Sequence, residues 1–378
     1  MPLVTLEAIR EAAEVLRGVV VRTPLLPFGT PLPGDPRGGT RVWLKPESLQ
    51  PIGAFKLRGA YYSVATLSAE QRAAGVVAHS SGNHAQGVAR AARLLGVRAV
   101  IVMPSDAPAV KVARVRADGA EIVVVGPASE ERAQRADELV RTDGLTLVGP
   151  FDDGATITGQ GTVGLEIVEQ VAELDRGAGP GASPAGDRPP AGASRPGDPG
   201  LASGTGRRTS DGGPSTAPVP LTVIVPVGGG GLASGVATAV KTLRPDATVV
   251  GVEPELAADG QESLRVGHVV TWPAEKVGST IADGQRTAHI GRRTFAHMSR
   301  YLDGIVTVTE DEIRRAMVRA AREARLILEP SGATALAAVL FGGGELPAGG
   351  RIVVVLSGGN VDPARYATLI AEGEAAGG

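Results

Sequence analysis

The sequence predicts an α/β protein built on parallel β-sheets. Short runs of β-branched residues alternate with Ala-, Leu- and Arg-rich helical patterns, and this alternation is typical of parallel strands joined by crossover helices. Residues 352–356 are apolar throughout, and residues 221–227 are apolar except for Thr222, as expected for buried strands. The chain has 378 residues, which is enough for two domains with buried cores.

Six of the apolar runs predict strands, at residues 76–78, 99–103, 121–125, 221–227, 248–252 and 352–356. The patterns between them predict helices at residues 83–95, 107–117, 130–141, 162–174 and 232–243. Thr309 and Glu312 form a capping box, which predicts the start of one more helix with an apolar pattern over residues 313–326.

Residues 177–218 interrupt this alternation. The segment consists almost wholly of Gly, Ala, Pro, Ser, Thr, Asp and Arg, and Leu201 is its only large aliphatic residue. Because such a segment cannot bury enough apolar surface to offset the entropy lost on ordering, we expect a disordered insertion. A linker between independent domains is the alternative, although the motifs described next fall on both sides of the segment.

The composition excludes several classes of protein. Lys and Arg number 38 against 40 Asp and Glu, a formal net charge of -2, so we expect no binding to nucleic acid or to an anionic membrane. The chain has no cysteine, which removes disulfides, thiolate nucleophiles and iron–sulfur sites. Its apolar runs are far shorter than the ~20 residues of a membrane helix, and residues 5–16 are amphipathic, unlike a signal peptide. We therefore expect a cytoplasmic protein.

The glycine run Gly228-Gly-Gly-Gly231 lies between a predicted strand and a predicted helix. A glycine turn at a helix N-terminus exposes backbone N–H groups and favours negative charge, so the run predicts a phosphate site. Gly228, Gly230 and Ala233 also match the G-x-G-x-x-A spacing of dinucleotide-binding proteins, and Glu253 lies near the position of a ribose-binding acid. A nicotinamide dinucleotide site and a tight turn without a ligand are therefore alternatives.

Three further segments accompany the glycine run. Lys56 follows small and aromatic neighbours, and burial beside such groups lowers the pKa of a lysine toward the range of a free amine. Ser80-Ser-Gly-Asn-His84 supplies donors for a carboxylate, and Ser357-Gly-Gly-Asn360 ends a strand where α/β sheets bind ligands. Each segment alone is typical of a solvated lysine, a helix cap or a polar turn. Together they predict a pyridoxal phosphate site, in which the lysine forms a Schiff base with the cofactor.

The motifs resemble those of the fold-type II pyridoxal phosphate enzymes of the threonine and serine dehydratase group, which includes serine racemase. The motifs that carry the resemblance are the segments ending at Lys56 and His84, Gly159-Gln-Gly-Thr162, the glycine run, Thr280-Ile-Ala-Asp-Gly284, Glu329-Pro330 and Ser357-Gly-Gly-Asn360. The resemblance implies a two-domain fold similar to the tryptophan synthase β subunit, with twisted parallel sheets flanked by helices. The large domain, which binds pyridoxal phosphate, would comprise residues 1–68 and 152–378, and the small domain residues 69–151.

The resemblance also implies roles for individual residues. Lys56 would bind the cofactor and act as the base at the substrate Cα, and Ser81 matches the acid or base on the opposite face in racemases. The implied cofactor residues are Phe55, Lys56, Asn83, Gly228, Gly229, Gly230, Gly231, Leu232, Gly284, Glu329 and Ser357. The implied residues for the substrate carboxylate are Ser80, Ser81, Asn83 and His84. The implied ligands of a divalent cation such as Mg²⁺ are Glu253, the carbonyl of Ala257, and Asp259, and this role replaces the ribose interpretation of Glu253.

The implied reaction is deamination of a small hydroxy amino acid. L-Threonine, L-serine or both would lose the β-hydroxyl, and hydrolysis would give 2-oxobutanoate or pyruvate with ammonia. Serine racemase and 3-hydroxyaspartate dehydratase activities occur in the same family and are the alternatives. Pro150-Phe-Asp-Asp153 resembles the dehydratases more than the animal racemases. A homodimer or homotetramer is also expected from the resemblance.

Overall fold

The computed structural model describes residues 2–29, 40–80, 82–107, 109–126, 129–177, 219–342, 346–347 and 349–377. The strands of these residues form two β-sheets flanked by helices, which confirms the predicted α/β class. Apart from Gly177, the predicted insertion at residues 177–218 lies outside the described residues. None of the helices in these ranges combines the length and the apolar composition that crossing a membrane requires.

The strands belong to a six-stranded and a four-stranded sheet. In chain order they are β1 Leu26–Phe28, β2 Thr40–Pro46, β3 Val76–His79, β4 Ala99–Pro104, β5 Glu121–Val125, β6 Thr146–Leu147, β7 Leu221–Pro226, β8 Thr248–Pro254, β9 Gly304–Val308 and β10 Gly350–Leu356. The larger sheet has the order β1-β2-β10-β7-β8-β9, and the smaller sheet has the order β5-β4-β3-β6. All neighbours are parallel except β1 and β2, which are antiparallel.

The helices cover both sheets. They are α1 Leu6–Val15, α2 Lys56–Ala65, α3 Ala69–Ala74, α4 Asn83–Leu95, α5 Ala109–Ala117, α6 Ser129–Asp143, α7 Gly154–Gly177, α8 Gly231–Leu243, α9 Asp259–Val266, α10 Ala274–Gly278, α11 Arg292–Tyr301, α12 Glu310–Arg319, α13 Pro330–Phe341 and α14 Pro363–Ala375. Short 3₁₀ turns occur at Glu47–Leu49, Glu255–Ala257 and Asp283–Gln285.

The structure confirms the six predicted strands and the predicted helices, with two corrections. The prediction of parallel sheets is wrong at β1, because the short stretch between β1 and β2 leaves too few residues for a crossover helix. The helix that follows the Thr309 capping box does not continue regularly to residue 326. It ends at Arg319 and is followed by a π-helical turn, Ala320–Ala324, which Arg325 closes in the left-handed conformation with φ of 61°.

Helices bury both faces of the larger sheet. On β10, Ile352 and Val354 pack with the apolar side chains of α12 and α13, whereas Val353 and Val355 pack with those of α7 and α8. Successive residues of a strand point to opposite faces, so a strand covered on both sides needs an apolar residue at every position. This explains why residues 352–356 are apolar throughout.

The smaller sheet is covered in the same way. Val76 and Ile101 pack with α4 on one face, and Val77 and Val100 pack with α6 on the other. The boundaries expected for the domains, residues 1–68 with 152–378 and residues 69–151, stay a prediction.

Glycines allow α2, α7 and α8 to approach one another closely. A Cβ atom on Gly159 of α7 would lie 2.6 Å from the carbonyl oxygen of Arg58 in α2, and one on Gly235 of α8 would lie 2.5 Å from the backbone nitrogen of Gly161. Only glycine fits such contacts. The motif Gly159-Gln-Gly-Thr162 therefore has a packing role, because it holds α2, which begins at Lys56, against the larger sheet.

Four charged side chains form a buried cluster next to the first turn of α2. Arg58 donates to both oxygens of Glu47, at 2.7 and 2.9 Å, and to both oxygens of Glu166, at 2.6 and 3.0 Å. Lys45 donates to Glu166 at 2.6 Å. The side chains of Lys45, Glu47 and Arg58 are fully buried. Because buried charges are tolerated only when paired, this cluster fixes α2 relative to β2 and α7.

Candidate active site

A cavity of about 550 Å³ lies between the two sheets. Its walls include the carboxyl ends of strands from both, since His79 ends β3, Pro226 ends β7 and Ser357 follows β10. Parallel sheets bind their ligands at this edge. The predicted residues that line the cavity are Phe55, Lys56, Ser80, Asn83, His84, Gly228, Gly229, Gly230, Gly231, Leu232, Gly284, Glu329 and Ser357. The fold thus brings all the predicted cofactor residues to one cavity, while their individual roles stay predictions.

Lys56 is the first residue of α2, and its amine lies in the cavity. The Nζ atom donates a hydrogen bond of 2.6 Å to the carbonyl oxygen of Pro150 and lies 5.1 Å from the centre of the Phe55 ring. The surrounding protein largely desolvates the amine, and this burial lowers the pKa of Lys56 to about 8. A substantial fraction of the amine is therefore neutral, and nucleophilic, slightly above neutral pH.

The loop before Lys56 is paired with the loop that follows β10. The N–H of Phe55 donates to the carbonyl of Ser357 at 3.1 Å, and the N–H of Gly359 donates to the carbonyl of Gly53 at 2.9 Å. The Nδ2 atom of Asn360 donates to the carbonyl of Ile52 at 2.7 Å. The two predicted motifs therefore form a single unit that holds the lysine at the cavity wall.

The glycine run forms the turn between β7 and α8. Gly230 has φ of 90°, a conformation that favours glycine, and no side chain caps the N-terminus of α8. Among the residues that the structure describes, none accepts a hydrogen bond from the backbone N–H groups between Gly228 and Leu232. These residues line the cavity. Unpaired N–H groups at a helix N-terminus bind anions, so the run can hold a phosphate.

The side chain of Phe151 packs against the glycine run. A Cβ atom on Gly229 would overlap the Phe151 ring, and one on Gly231 would lie 3.0 Å from the Phe151 Cα. Two of the four glycines are therefore required by packing as well as by access to a ligand. Phe151 belongs to the segment that resembles the dehydratases, but its contact with the glycine run was not predicted from the sequence.

Asn83 and Glu329 form a hydrogen-bonded pair on the cavity wall. The Nδ2 atom of Asn83 donates to Glu329 Oε1 at 2.6 Å, and its Oδ1 atom accepts from Asn360 Nδ2 at 2.8 Å. Burial raises the pKa of Glu329 to about 8, and the negative charge of Asp283 contributes in the same direction. The Glu329 carboxyl is therefore mostly protonated at pH 7.

The predicted carboxylate-binding residues lie at the N-terminus of α4. Ser80 Oγ accepts from the N–H of Gly82 at 3.1 Å, and Gly82, which precedes α4, provides no side-chain cap. His84 Nε2 lies 2.8 Å from the carbonyl oxygen of Val148, so Nε2 carries the proton and the buried, unpaired Nδ1 can only accept. Burial lowers the pKa of His84 to about 3, with a contribution from Lys56. Ser81, predicted as a catalytic and substrate residue, lies outside the described residues.

Ser331 connects two of the predicted cofactor residues. Its carbonyl accepts from Ser357 Oγ at 3.2 Å, and its hydroxyl accepts from the N–H of Gly284 at 2.8 Å. Ser331 was not predicted from the sequence. Its position directly after Glu329-Pro330 was the only available signal.

The predicted cation ligands lie together but outside the cavity. Glu253 is the penultimate residue of β8 and accepts from the N–H groups of Gly260 and Gln261 at 3.0 and 2.8 Å. Asp259 is buried, and among the described residues neither of its carboxylate oxygens has a hydrogen-bond partner. Burial raises the pKa of Asp259 to about 7 and that of Glu253 well above its usual value. Ala257 is buried in the 3₁₀ turn between them. No group of three or more His, Cys, Asp or Glu that could hold a metal occurs in the described part of the chain.

Several ionisable side chains in the cavity wall had no predicted role. They are His79, Asp106, Lys111, Arg132, Asp283 and Arg286. Lys111 pairs with Asp283 at 2.7 Å and joins α5 to the 3₁₀ turn Asp283–Gln285. Arg286 donates to the carbonyl of Thr280 at 2.6 and 2.8 Å. Asp283 belongs to the motif Thr280-Ile-Ala-Asp-Gly284, whereas no short motif contains the other five residues.

The residues of the cavity fit pyridoxal phosphate. Lys56 provides an amine whose pKa is lowered to about 8, and the glycine run provides unpaired N–H groups for a phosphate. Phe55 provides an aromatic ring next to the amine, and Ser357 provides a neutral hydroxyl in the same cavity. These are the four kinds of group that the aldehyde, phosphate, ring face and ring nitrogen of this cofactor require.

Comparisons with known proteins agree with this fit. A family model described as pyridoxal-phosphate dependent enzyme matches residues 16–185 and 204–358. An L-threo-3-hydroxyaspartate ammonia-lyase of Saccharomyces cerevisiae is 38% identical over 95% of the chain and 94% of the relative. An L-threonine ammonia-lyase of Thermotoga maritima is 37% identical over 95% of the chain and 76% of the relative. The structure of maize serine racemase is similar with a TM-score of 0.79 and 33% identity, and the match covers 98% of both chains.

Proposed function

The chain belongs to the pyridoxal-phosphate-dependent enzymes as an ammonia-lyase, and from this premise we propose that it deaminates L-threonine, L-serine or both. The products would be 2-oxobutanoate or pyruvate, with ammonia. The observation that carries the proposal is the position of Lys56, whose amine, with a pKa lowered to about 8, shares one cavity with the unpaired N–H groups of the glycine run.

We propose that Lys56 holds the cofactor covalently and that Gly228 to Leu232 hold its phosphate. Phe55, Asn83, Gly284, Glu329 and Ser357 would surround its ring. When bound, pyridoxal phosphate supplies a conjugated system that delocalises the charge developing at the substrate Cα. Ser357 is neutral and already donates to Ser331, so it would not hold a proton on the ring nitrogen. Without that proton, the charge that develops at the substrate Cα is delocalised less strongly. Weaker delocalisation favours prompt loss of the β-hydroxyl.

Lys56 is also the proposed base. The substrate amine would displace the lysine, and the freed Nζ would remove the proton from Cα, as its lowered pKa allows near neutral pH. The carbonyl of Pro150, 2.6 Å from Nζ, orients the amine within the cavity. The protonated lysine then supplies the proton that the departing hydroxide needs.

The substrate carboxylate would bind at the N-terminus of α4. The first N–H groups of a helix have no partner within the helix and favour negative charge, and no side chain caps this end. His84 would contribute its backbone N–H, because its side-chain Nδ1 carries no proton. Ser80 would contribute its hydroxyl, and the predicted role of Ser81 stays a prediction.

A cation site at Glu253, the carbonyl of Ala257, and Asp259 is a separate part of the proposal. The residues fit a cation such as Mg²⁺, because two buried carboxylates lie together and Asp259 has unpaired oxygens. Magnesium should raise the melting temperature of the wild-type protein and should not raise that of Asp259→Asn. An equal effect of magnesium on both proteins would refute this site.

A second candidate function is deamination of 3-hydroxyaspartate. The guanidinium groups of Arg132 and Arg286 line the same cavity, and such groups match carboxylates in shape and charge. If a second carboxylate binds there, Arg132→Met should lower kcat/KM for L-threo-3-hydroxyaspartate by at least about tenfold and leave that for L-threonine nearly unchanged. Equal losses for the two substrates would refute this assignment.

The main test is an assay of L-threonine, L-serine and L-threo-3-hydroxyaspartate side by side. Formation of 2-oxo acid is measured together with formation of D-serine, which separates a lyase from a racemase. Borohydride reduction followed by mass spectrometry should place the pyridoxyl group on Lys56. Lys56→Ala should lose both the label and the activity, whereas the exposed control Lys276→Ala should retain both. A protein that forms no 2-oxo acid from any of the three substrates would refute the proposal.

A further inference from the structure

We propose that Thr294 and Asp152 are positioning residues for the glycine run. They orient the peptide between Gly229 and Gly230 so that its N–H group faces the cavity and can bind the cofactor phosphate. The inference rests on the proposed pyridoxal phosphate site. It assigns a role to two residues outside every motif that predicted that site.

The carbonyl of Gly229 is held on the side away from the cavity. It accepts a hydrogen bond of 2.8 Å from the hydroxyl of Thr294 and one of 3.3 Å from the N–H of Gly291. The same hydroxyl lies 3.1 Å from the carbonyl oxygen of Gly291, which is the longer of its two contacts. The peptide is trans, as are all peptide bonds between the described residues, and the C=O and N–H groups of a trans peptide point in opposite directions. The N–H of Gly230 therefore points away from α11 and toward the cavity that Gly230 lines.

Asp152 holds the helix that carries Thr294. Its Oδ1 atom accepts from the N–H groups of Arg293 and Thr294 at 2.8 and 3.1 Å, and its Oδ2 atom accepts from Arg292 at 3.1 Å. The residue before α11, Gly291, has no side chain to cap the helix, so a carboxylate from a distant part of the chain replaces the cap. One side chain thus fixes the backbone of Thr294, whose hydroxyl fixes Gly229.

The glycine run needs such an external support. Glycine residues rotate more freely than others, and Gly230 already has φ of 90°. If the Gly229 carbonyl were released from α11, the peptide could rotate and place its oxygen toward the phosphate. A carbonyl oxygen in place of an N–H would repel the anion. The hydrogen bond from Thr294 therefore selects the orientation that binds phosphate.

The test compares the affinity of the apoenzyme for pyridoxal phosphate and for pyridoxal, which lacks the phosphate. Thr294→Val, which keeps the shape of the side chain and removes the hydroxyl, should weaken binding of pyridoxal phosphate about tenfold, equivalent to about one hydrogen bond. Binding of pyridoxal should be unchanged. Thr294→Ser should restore the affinity, because it restores the hydroxyl. Asp152→Asn, which keeps the size and loses the charge, should give the same selective loss with a smaller magnitude.

Thr238→Val is the matched control. Thr238 is buried in α8, and its hydroxyl donates to the carbonyl of Ser234, within the helix that begins at the glycine run. This variant should bind both ligands as the wild type does. Equal losses for pyridoxal phosphate and pyridoxal in Thr294→Val, or no loss, would overturn the inference. If Thr294→Val does not fold, the same comparison of pyridoxal phosphate with pyridoxal binding in Asp152→Asn tests the inference.

The wild-type protein separates this inference from the proposed function. If wild-type apoenzyme binds pyridoxal as tightly as pyridoxal phosphate, the phosphate role of the glycine run is wrong, and the proposed function loses its main support. If the wild type prefers pyridoxal phosphate and the variants retain that preference, only the role of Thr294 and Asp152 is wrong.

Discussion

Replacing Gly229 by alanine tests the packing of the glycine run against Phe151. The added Cβ would lie within 2.5 Å of three carbon atoms of the ring, whereas nonbonded carbons pack at about 3.5–4.0 Å. The ring or the run must therefore move by about 1 Å. Overpacking of this kind costs about 1–3 kcal/mol. If the run moves, this cost corresponds to a loss of about 5- to 150-fold in affinity for pyridoxal phosphate.

The assay is a titration of the apoenzyme with pyridoxal phosphate, with Gly228→Ala as the control. A Cβ on Gly228 would lie 3.2 Å from the nearest atoms, the Gln285 Cα and the Gly284 carbonyl oxygen, so the control should lose much less affinity. Neither glycine has a positive φ, and backbone strain does not distinguish them. Adding Phe151→Ala to Gly229→Ala should recover part of the loss. Equal losses in the two single variants, without recovery in the double variant, would refute the packing argument.

Three further predictions concern Lys56, the buried charge cluster and a helix cap. Because only the neutral amine of Lys56 reacts, the rate of pyridoxal phosphate capture by the apoenzyme should rise about tenfold per pH unit below pH 8 and level off above the pKa of about 8; a rise that continues to pH 10 would contradict this. Arg58→Met leaves Glu47 buried without its partner and should lower the free energy of unfolding in urea by about 3–5 kcal/mol. Arg98→Met, which breaks an exposed pair with Glu121, should lower it by less than about 1 kcal/mol. Losses of similar size in Arg58→Met and Arg98→Met would refute the stabilising role of the buried cluster. Thr309→Ala removes the N-cap of α12 and should cost about 1 kcal/mol, whereas Thr309→Ser should be neutral in the same urea titration.

The sequence predicted the strands whose apolar runs are continuous and missed those whose runs are not. Residues 223–226 and 352–356 are buried on both faces, and their apolar composition reflects this directly. β2 contains Arg41 and Lys45, and the latter is buried only because Glu166 pairs with it. A pairing between residues so distant in the chain has no local signature. The prediction of β2 therefore required the tertiary structure.

The candidate site was predictable where side-chain types carry the chemistry. Lys56 and the glycine run could be recognised because an amine and a row of missing side chains are visible in the sequence. The contacts that position them are not visible in this way. The acceptor for Lys56 is a backbone carbonyl, that of Pro150, and every residue has one. The cap on α11 comes from Asp152, which is far from that helix in the chain.

The place of β10 in the larger sheet determines when that sheet can form as the chain is synthesised. β10 lies between β2 and β7, although it is the last of the described strands in chain order. β2 therefore has no parallel partner until residues 350–356 have been synthesised. The smaller sheet comes from residues 76–147 alone and can fold during translation. Formation of the cavity between the two sheets is thus a late event, and the edges of β2 and β7 that pair with β10 stay unpaired until that strand has been synthesised.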